Sequence, residues 1–225
     1  MTDIDITEST FLTCLRDAER PGLNGYQGDV RTSRIGDKKI LIKTAAGWGI
    51  LAWLRRILLR REYRTYRRLA GISGIPRCFG FFKGRHLVLE YVESRTLRHA
   101  TIKNREFFFA EMLTIIQSIH ERGVAHGDLK RRDNILVSDD SRPCLVDFGV
   151  SVFRKPGFRP LNRFWHSFSH QHDFNAWIKH KYAGDYSAIS AEDAKYYRPL
   201  RIERIARMIK KVWTKIKKPA SPQQL

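Results

Sequence analysis

His126-Gly127-Asp128-Leu129-Lys130, followed by Asn134-Ile135-Leu136-Val137 and then by Val146-Asp147-Phe148-Gly149, decides how this chain is read. An Asp on a tight loop, a downstream Asn beside an apolar strand, and a second Asp closing another strand form an ordered set. Asp128 and Asp147 stand nineteen residues apart. Oxygen donors in this pattern suit Mg²⁺, which takes carboxylate and carbonyl oxygens and shares them with phosphates. Orienting a hydroxyl and neutralising phosphate charge are the main needs of phosphoryl transfer.

Working outward, the flanking segments alternate between strand and helix patterns. Val30–Ile35 and Lys39-Ile-Leu-Ile-Lys43 surround a Gly36-Asp37 turn and read as a hairpin. Residues 48–70 carry Ile50, Leu51, Leu54, Ile57, Leu58 and Leu69 at three- and four-residue spacings, which predicts a helix ended by Gly71, Gly74 and Pro76. Cys78–Phe82 and His86–Val92 form a second hairpin pattern around Lys83-Gly84-Arg85. Residues 104–122 predict a buried helix with Phe107, Phe108, Met112, Ile115, Ile116 and Ile119 inside. Strands are expected at Ile135–Val137 and Leu145-Val146, with helices at 173–182 and 198–218. Residues 1–20 read as a loose arm or a short first helix. The order is strands, one helix, strands, then a mainly helical half.

That order, together with the Asp128 loop and Asp147-Phe-Gly, resembles the protein-kinase-like superfamily over roughly residues 22–182. The resemblance implies an α+β fold of two lobes. A β-rich small lobe with one main helix would span 21–92, after an N-terminal arm at 1–20. A reduced helical lobe with a basic last helix would span 93–218, and 219–225 would be a tail. It also implies ATP and Mg²⁺. Asp128 would orient the acceptor hydroxyl and take its proton, and Lys130 would meet the transferred phosphate. Asp147 would hold the metal. The second metal ligand is Asn134 or Asp133: the usual spacing points to Asp133, whereas the strand continues from Asn134. Lys43 would bind phosphate, with Lys38 and Lys39 as competitors, and Glu62 would be its ion-pair partner. Gly25 and Gly28 offer flexible backbone near the phosphates, although G-x-G-x-x-G is absent. Glu90-Tyr91-Val92 would meet adenine through backbone atoms. His126 reads as a brace for its loop. Asp173 either ties its helix to that loop or merely caps the helix.

The departures from the usual pattern narrow the resemblance. Gly127 stands where an arginine often precedes the catalytic Asp, which argues against control by activation-loop phosphorylation. No Ala-Pro-Glu follows Asp147-Phe-Gly, and 76 residues remain after Gly149, so little of a peptide-docking platform is expected. The nearest likeness is to small atypical members: lipopolysaccharide-core and Kdo sugar kinases, RIO-type kinases, and the small kinase of the tRNA-modifying KEOPS complex.

Composition bears on the acceptor. Lys and Arg number 42 against 23 Asp and Glu, a net charge of +19 that favours a polyanionic partner. Basic residues interleave with tryptophans and aliphatics in 48–58, 153–168 and 198–218, a composition that suits anionic membrane surfaces. The bland alternative is that each stripe packs on the core, which is the expectation for any one segment. Three cysteines in no disulfide or metal spacing, no secretory leader and no apolar run long enough for a span predict a cytoplasmic protein, with a peripheral place on the inner membrane. The function expected is ATP- and Mg²⁺-dependent phosphorylation of a hydroxyl, on a sugar of a lipid-linked glycan such as lipopolysaccharide core or Kdo. The alternatives are a RIO-like serine/threonine protein kinase associated with RNA or ribosomes, and a catalytically weak adaptor on the same fold.

Overall fold

A computed structural model describes residues 6–19 and 29–199. The fold is α+β: a four-stranded antiparallel sheet near the N-terminus, followed by a mainly helical region with two small sheets. Gly25, Gly28, the residues 200–218 of the expected basic helix, and the tail at 219–225 lie outside the described residues.

Strand β1 (Asp29–Ile35) pairs antiparallel with β2 (Lys38–Thr44), and the Gly36-Asp37 turn joins them as expected. Strands β3 (Cys78–Phe82) and β4 (His86–Glu90) form the second hairpin. β2 pairs with β4, so the order is β1-β2-β4-β3. Period-two alternation on β2 and β4 decides what each face buries. Ile40, Ile42 and Val88 face helix α1 (Glu8–Arg16), whose Phe11 and Cys14 join their cluster. Thr7 caps α1 by accepting from the Thr10 backbone N–H, and Phe11 stacks on Phe82 at 4.5 Å. The first residues described therefore belong to a packed helix.

Leu41, Leu87 and Leu89 point the other way, into the main core. Lys43 shares the parity of Leu41 and so points to the same side as the main core. Helix α2 (Gly49–Arg68) covers that side, and buries only Ala52, Glu62, Thr65 and Tyr66 along its length. The expected packing of its first-half stripe on the core is not found: Ile50, Leu51, Leu54, Ile57 and Leu58 are all exposed. The spacing made a helix, but that half runs past the surface that could cover it.

Helix α3 (Arg105–Glu121) is capped by Asn104, which accepts from the Phe107 N–H. It buries Phe108, Phe109, Met112, Ile115, Ile116 and Ile119. Phe107, expected inside, is exposed. At about 100° per residue it lies roughly 130° from the centre of the buried face, whereas Phe109 lies roughly 70° away. Strands β5 (Ser94–Thr96), β7 (Ile135–Ser138) and β8 (Pro143–Leu145) form one small sheet. β6 (Val124–Ala125) and β9 (Val152–Phe153) form the other.

Helix α4 spans Pro160–Lys181, thirteen residues longer at its start than the expected 173–182. Pro160 sits in the first turn, where its fixed φ and missing N–H cost nothing. Trp177 anchors α4 to α3 by donating from Nε1 to the Phe109 carbonyl at 2.7 Å. Its early turns leave Leu161, Phe164 and Trp165 exposed, so this basic-aromatic stripe also fails to pack as expected.

Candidate active site

Lys43 and Glu62 form the best-defined part of the site. Lys43 Nζ donates to Glu62 Oε1 at 2.6 Å, joining β2 to α2, and lies 3.8 Å from Asp147 Oδ1. Glu62 is 4% exposed. Burial lifts its carboxyl above the ordinary glutamate value against the pull of Lys43, and Asp147 pushes in the same direction as burial. A lysine held beside two carboxylates is pre-aimed, and it offers positive charge to a phosphate.

Asp147 adopts φ 66°, a left-handed conformation uncommon for a side chain other than Gly or Asn. Strain of this kind persists only where its surroundings hold it. Here the Asp147 N–H donates to Tyr66 Oη at 3.3 Å, and Phe148 packs edge-on against the Tyr66 ring at 5.2 Å. The result turns the carboxylate toward Lys43 and leaves it part exposed. Ser151, fully buried two residues past Gly149, meets Thr65 Oγ1 through its hydroxyl at 2.9 Å, and its carbonyl accepts from Arg61. Sequence reasoning missed Thr65, Tyr66 and Ser151. Thr65 and Tyr66 fall three and four residues after Glu62 and so share its helix face, the one signal that could have flagged them.

The Asp128 loop is braced from two sides. His126 is buried; its Nε2 donates to the Val146 carbonyl at 3.0 Å, and its Nδ1 accepts from the Asp128 N–H at 3.3 Å. One imidazole thus joins this loop to the strand end before Asp147. Behind the loop, fully buried Asp173 accepts from the N–H groups of His126 (2.7 Å) and Gly127 (2.8 Å) and from His120 Nε2 (3.0 Å). Asp173 sits in the middle of α4, so a capping role does not apply and the tie to the loop does. Gly127 has φ 80°, and only glycine adopts that freely while presenting its N–H to Asp173.

Asn134 closes a 3₁₀ turn (Arg132–Asn134) that absorbs the extra residue of the loop. Its Nδ2 donates to the Asp128 carbonyl at 3.0 Å and to Asp128 Oδ2 at 3.1 Å, which leaves the amide oxygen as its acceptor. The Asn134 carbonyl accepts from the Val146 N–H at 3.0 Å, so Asn134 stands against the residue that precedes Asp147. Asp133 instead forms a two-pronged pair with Arg98, 2.8 Å on each prong, and that guanidinium holds its carboxyl below the usual range. Lys130 is half-buried one residue past Leu129.

The structure thus brings Lys43, Glu62 and Asp147 together, and ties the Asp128 loop and Asn134 to the Val146 backbone that precedes Asp147. Just past β4, the Tyr91 N–H donates to the Lys39 carbonyl at 3.2 Å, and Val92 packs on Leu136, Cys144 and Val146. That apolar patch suits a flat heteroaromatic ring. The Glu90 side chain and N–H are both engaged with Arg77, so only its carbonyl remains for such a ring. The donor types, the Asp147 carboxylate beside a paired lysine and the Asn134 amide, fit Mg²⁺, since this ion takes oxygen ligands and needs few from the protein.

Residues 37–170, more than half of the chain, match the protein kinase domain family. A probable serine/threonine-protein kinase of Dictyostelium discoideum is 30% identical over 106 residues, covering 43% of this chain and 20% of the relative. Serine/threonine-protein kinase B of Synechocystis is 33% identical over 103 residues, 41% of this chain and 18% of the relative. A casein kinase I homolog of Schizosaccharomyces pombe is 33% identical over 113 residues, 44% and 25% of the two. The chain spans a quarter or less of the length of these relatives.

Proposed function

The chain belongs to the protein kinase domain family, and from that premise we propose that it transfers a phosphoryl group from ATP to a hydroxyl on a sugar of a lipid-linked glycan, of the lipopolysaccharide-core or Kdo kind. The observation that carries the chemistry is the Lys43–Glu62 pair beside Asp147, with Asn134 hydrogen-bonded to Asp128. Asp147 and Asn134 would hold Mg²⁺, with Asp133 paired to Arg98. When bound, that ion neutralises charge on the phosphates. Lys43 binds phosphate oxygens, and Glu62 keeps its ammonium aimed. Asp128 takes the hydroxyl proton on a carboxylate oxygen as the new O–P bond forms and the bond to the ADP oxygen breaks. Lys130 steadies the phosphoryl group in transit. Glu90 and Val92 meet adenine through main-chain atoms.

The glycan acceptor is supported by the apolar, arginine-flanked surface left uncovered on α2, which suits a protein working against a lipid layer. A second reading, a serine or threonine of a protein, is supported by the relatives, which are named as serine/threonine kinases. The test is transfer of label from ATP to fractionated envelope lipids, envelope proteins and RNA. Label on lipid that disappears in Asp128→Ala and Asp147→Ala supports the proposal. Label on protein alone replaces it with the second reading. No transfer to any fraction, with ATP still bound, would favour a kinase-fold adaptor.

A further inference from the structure

The first half of α2 is the largest unpartnered apolar feature among the described residues. Trp48 is 96% exposed and Ile50 74%, and Leu51, Trp53, Leu54, Ile57 and Leu58 follow within the same three turns. At about 100° per residue, Trp53, Ile57, Ile50, Leu54, Leu58 and Leu51 succeed one another around an arc of roughly 160°. Arginines border that arc. Arg55 stands just beyond the Leu51 edge and donates to the Ala46 carbonyl, and Arg60 and Arg56 stand beyond the Trp53 edge. All three are exposed. An apolar strip with cations along both margins, on the only segment of α2 that projects past the core, is the pattern of a helix lying in a lipid–water interface.

We propose that residues 48–60 dock this protein on anionic bilayers, with the aliphatic arc among the acyl chains and the three arginines at the phosphates. The charge pattern selects this occupant over the others. A second copy apposing the same face would bring arginine rows against arginine rows, because a two-fold contact sets each patch on itself. An acidic protein would answer the arginines but would have to supply a matching apolar floor. A bilayer of anionic lipid supplies both, at no cost in shape matching, and arginine stems can follow the apolar surface while their heads stay at the phosphates. No described helix is long and apolar enough to cross a membrane, so the contact is in-plane. The same helix carries Glu62 one turn further on, so a docked α2 would present the Lys43–Glu62 pair at a set height above the lipid. This inference deepens the glycolipid reading but does not need it, because lipid binding is scored without nucleotide or acceptor.

The test uses the full chain with vesicles of phosphatidylcholine alone and of phosphatidylcholine with phosphatidylglycerol. Co-sedimentation with the mixed vesicles and not the neutral ones is expected. Tryptophan emission should be quenched by bromine-labelled acyl chains in the wild type and lose that quenching in Trp48→Phe/Trp53→Phe. The triple variant Ile50→Gln/Leu54→Gln/Leu58→Gln should partition at least about tenfold less, with unchanged melting temperature and unchanged nucleotide binding. Equal partitioning of the triple variant would overturn the proposal, leaving net charge as the attraction. So would quenching that survives in the tryptophan double variant, no binding of the wild type to either vesicle, or a wild-type dimer that the triple variant turns into monomer. Loss of phosphate transfer in Asp128→Ala, with lipid binding kept, reports on the kinase reading alone.

Discussion

The two halves of α2 have the same periodicity and opposite fates. Its first half, Gly49 to Leu58, is leucine, isoleucine and tryptophan standing in water. Its second half, Leu59 to Arg68, is mostly polar by composition yet buries Glu62, Thr65 and Tyr66. Hydrophobic character runs backward along this helix relative to burial. What is buried is a hydrogen-bonded set of polar groups: Glu62 on Lys43, Thr65 on Ser151, Tyr66 on the Asp147 N–H. Polar groups survive inside only when partnered, and here the partners are the active-site elements themselves. The difference teaches that α2 is anchored by its hydrogen-bonded half, while its apolar end has no cover among the described residues.

The contrast can be broken by substitution. The largest effect should come from Tyr66→Ala, which empties a fully buried site and frees the Asp147 loop; denaturant unfolding should show a loss of about 3–5 kcal/mol. Glu62→Gln should keep the fold but lower turnover about 10²-fold, read as initial rates of phosphate transfer, because Lys43 loses its aim. Glu62 also sets a pH limit. Its carboxyl titrates above the ordinary 4.5, so the ion pair is lost on acidification before an exposed glutamate would protonate. Activity should therefore fall on the acid side at a pH above 4.5, and that limb should vanish in Glu62→Gln. The stability sign is opposite: the folded form takes the proton before the unfolded one, so acidification through this range relieves the burial of Glu62. Thr65→Val leaves the buried Ser151 hydroxyl unpartnered and should cost about 1–3 kcal/mol. Smallest of all, Leu54→Gln in the first half should change stability by no more than about 0.5 kcal/mol. A large loss there would mean that the apolar end is packed after all.

Much of this arrangement was legible beforehand because local rules and the global fold agree. Lys39-Ile-Leu-Ile-Lys43 alternates cleanly, so its strand, its two faces and the inward aim of Lys43 all follow from a period of two. The Asp128 loop and Asp147-Phe-Gly carry their chemistry in residue types and spacing. What stayed hidden depends on distance in sequence. Nothing near Asp133 announces that Arg98, thirty-five residues earlier, will pair with it. Residues 160–172 gave no clear apolar stripe because Phe164 and Trp165 face outward and the buried side is lined by His166 and Ser169. The exposure of Ile50 and Leu54 could not be read either, since periodicity reports a helix face and says nothing about whether a surface arrives to cover it.

The most direct test pairs Asp128→Asn with Asp147→Asn, measuring Mg²⁺-dependent ATP binding by calorimetry and phosphate transfer on the same samples. The account predicts that Asp128→Asn binds ATP with Mg²⁺ as the wild type does while transfer falls about 10²–10⁴-fold, and that Asp147→Asn loses the Mg²⁺ dependence of binding. Transfer at the wild-type rate in Asp128→Asn, or Mg²⁺-dependent binding untouched in Asp147→Asn, would contradict it.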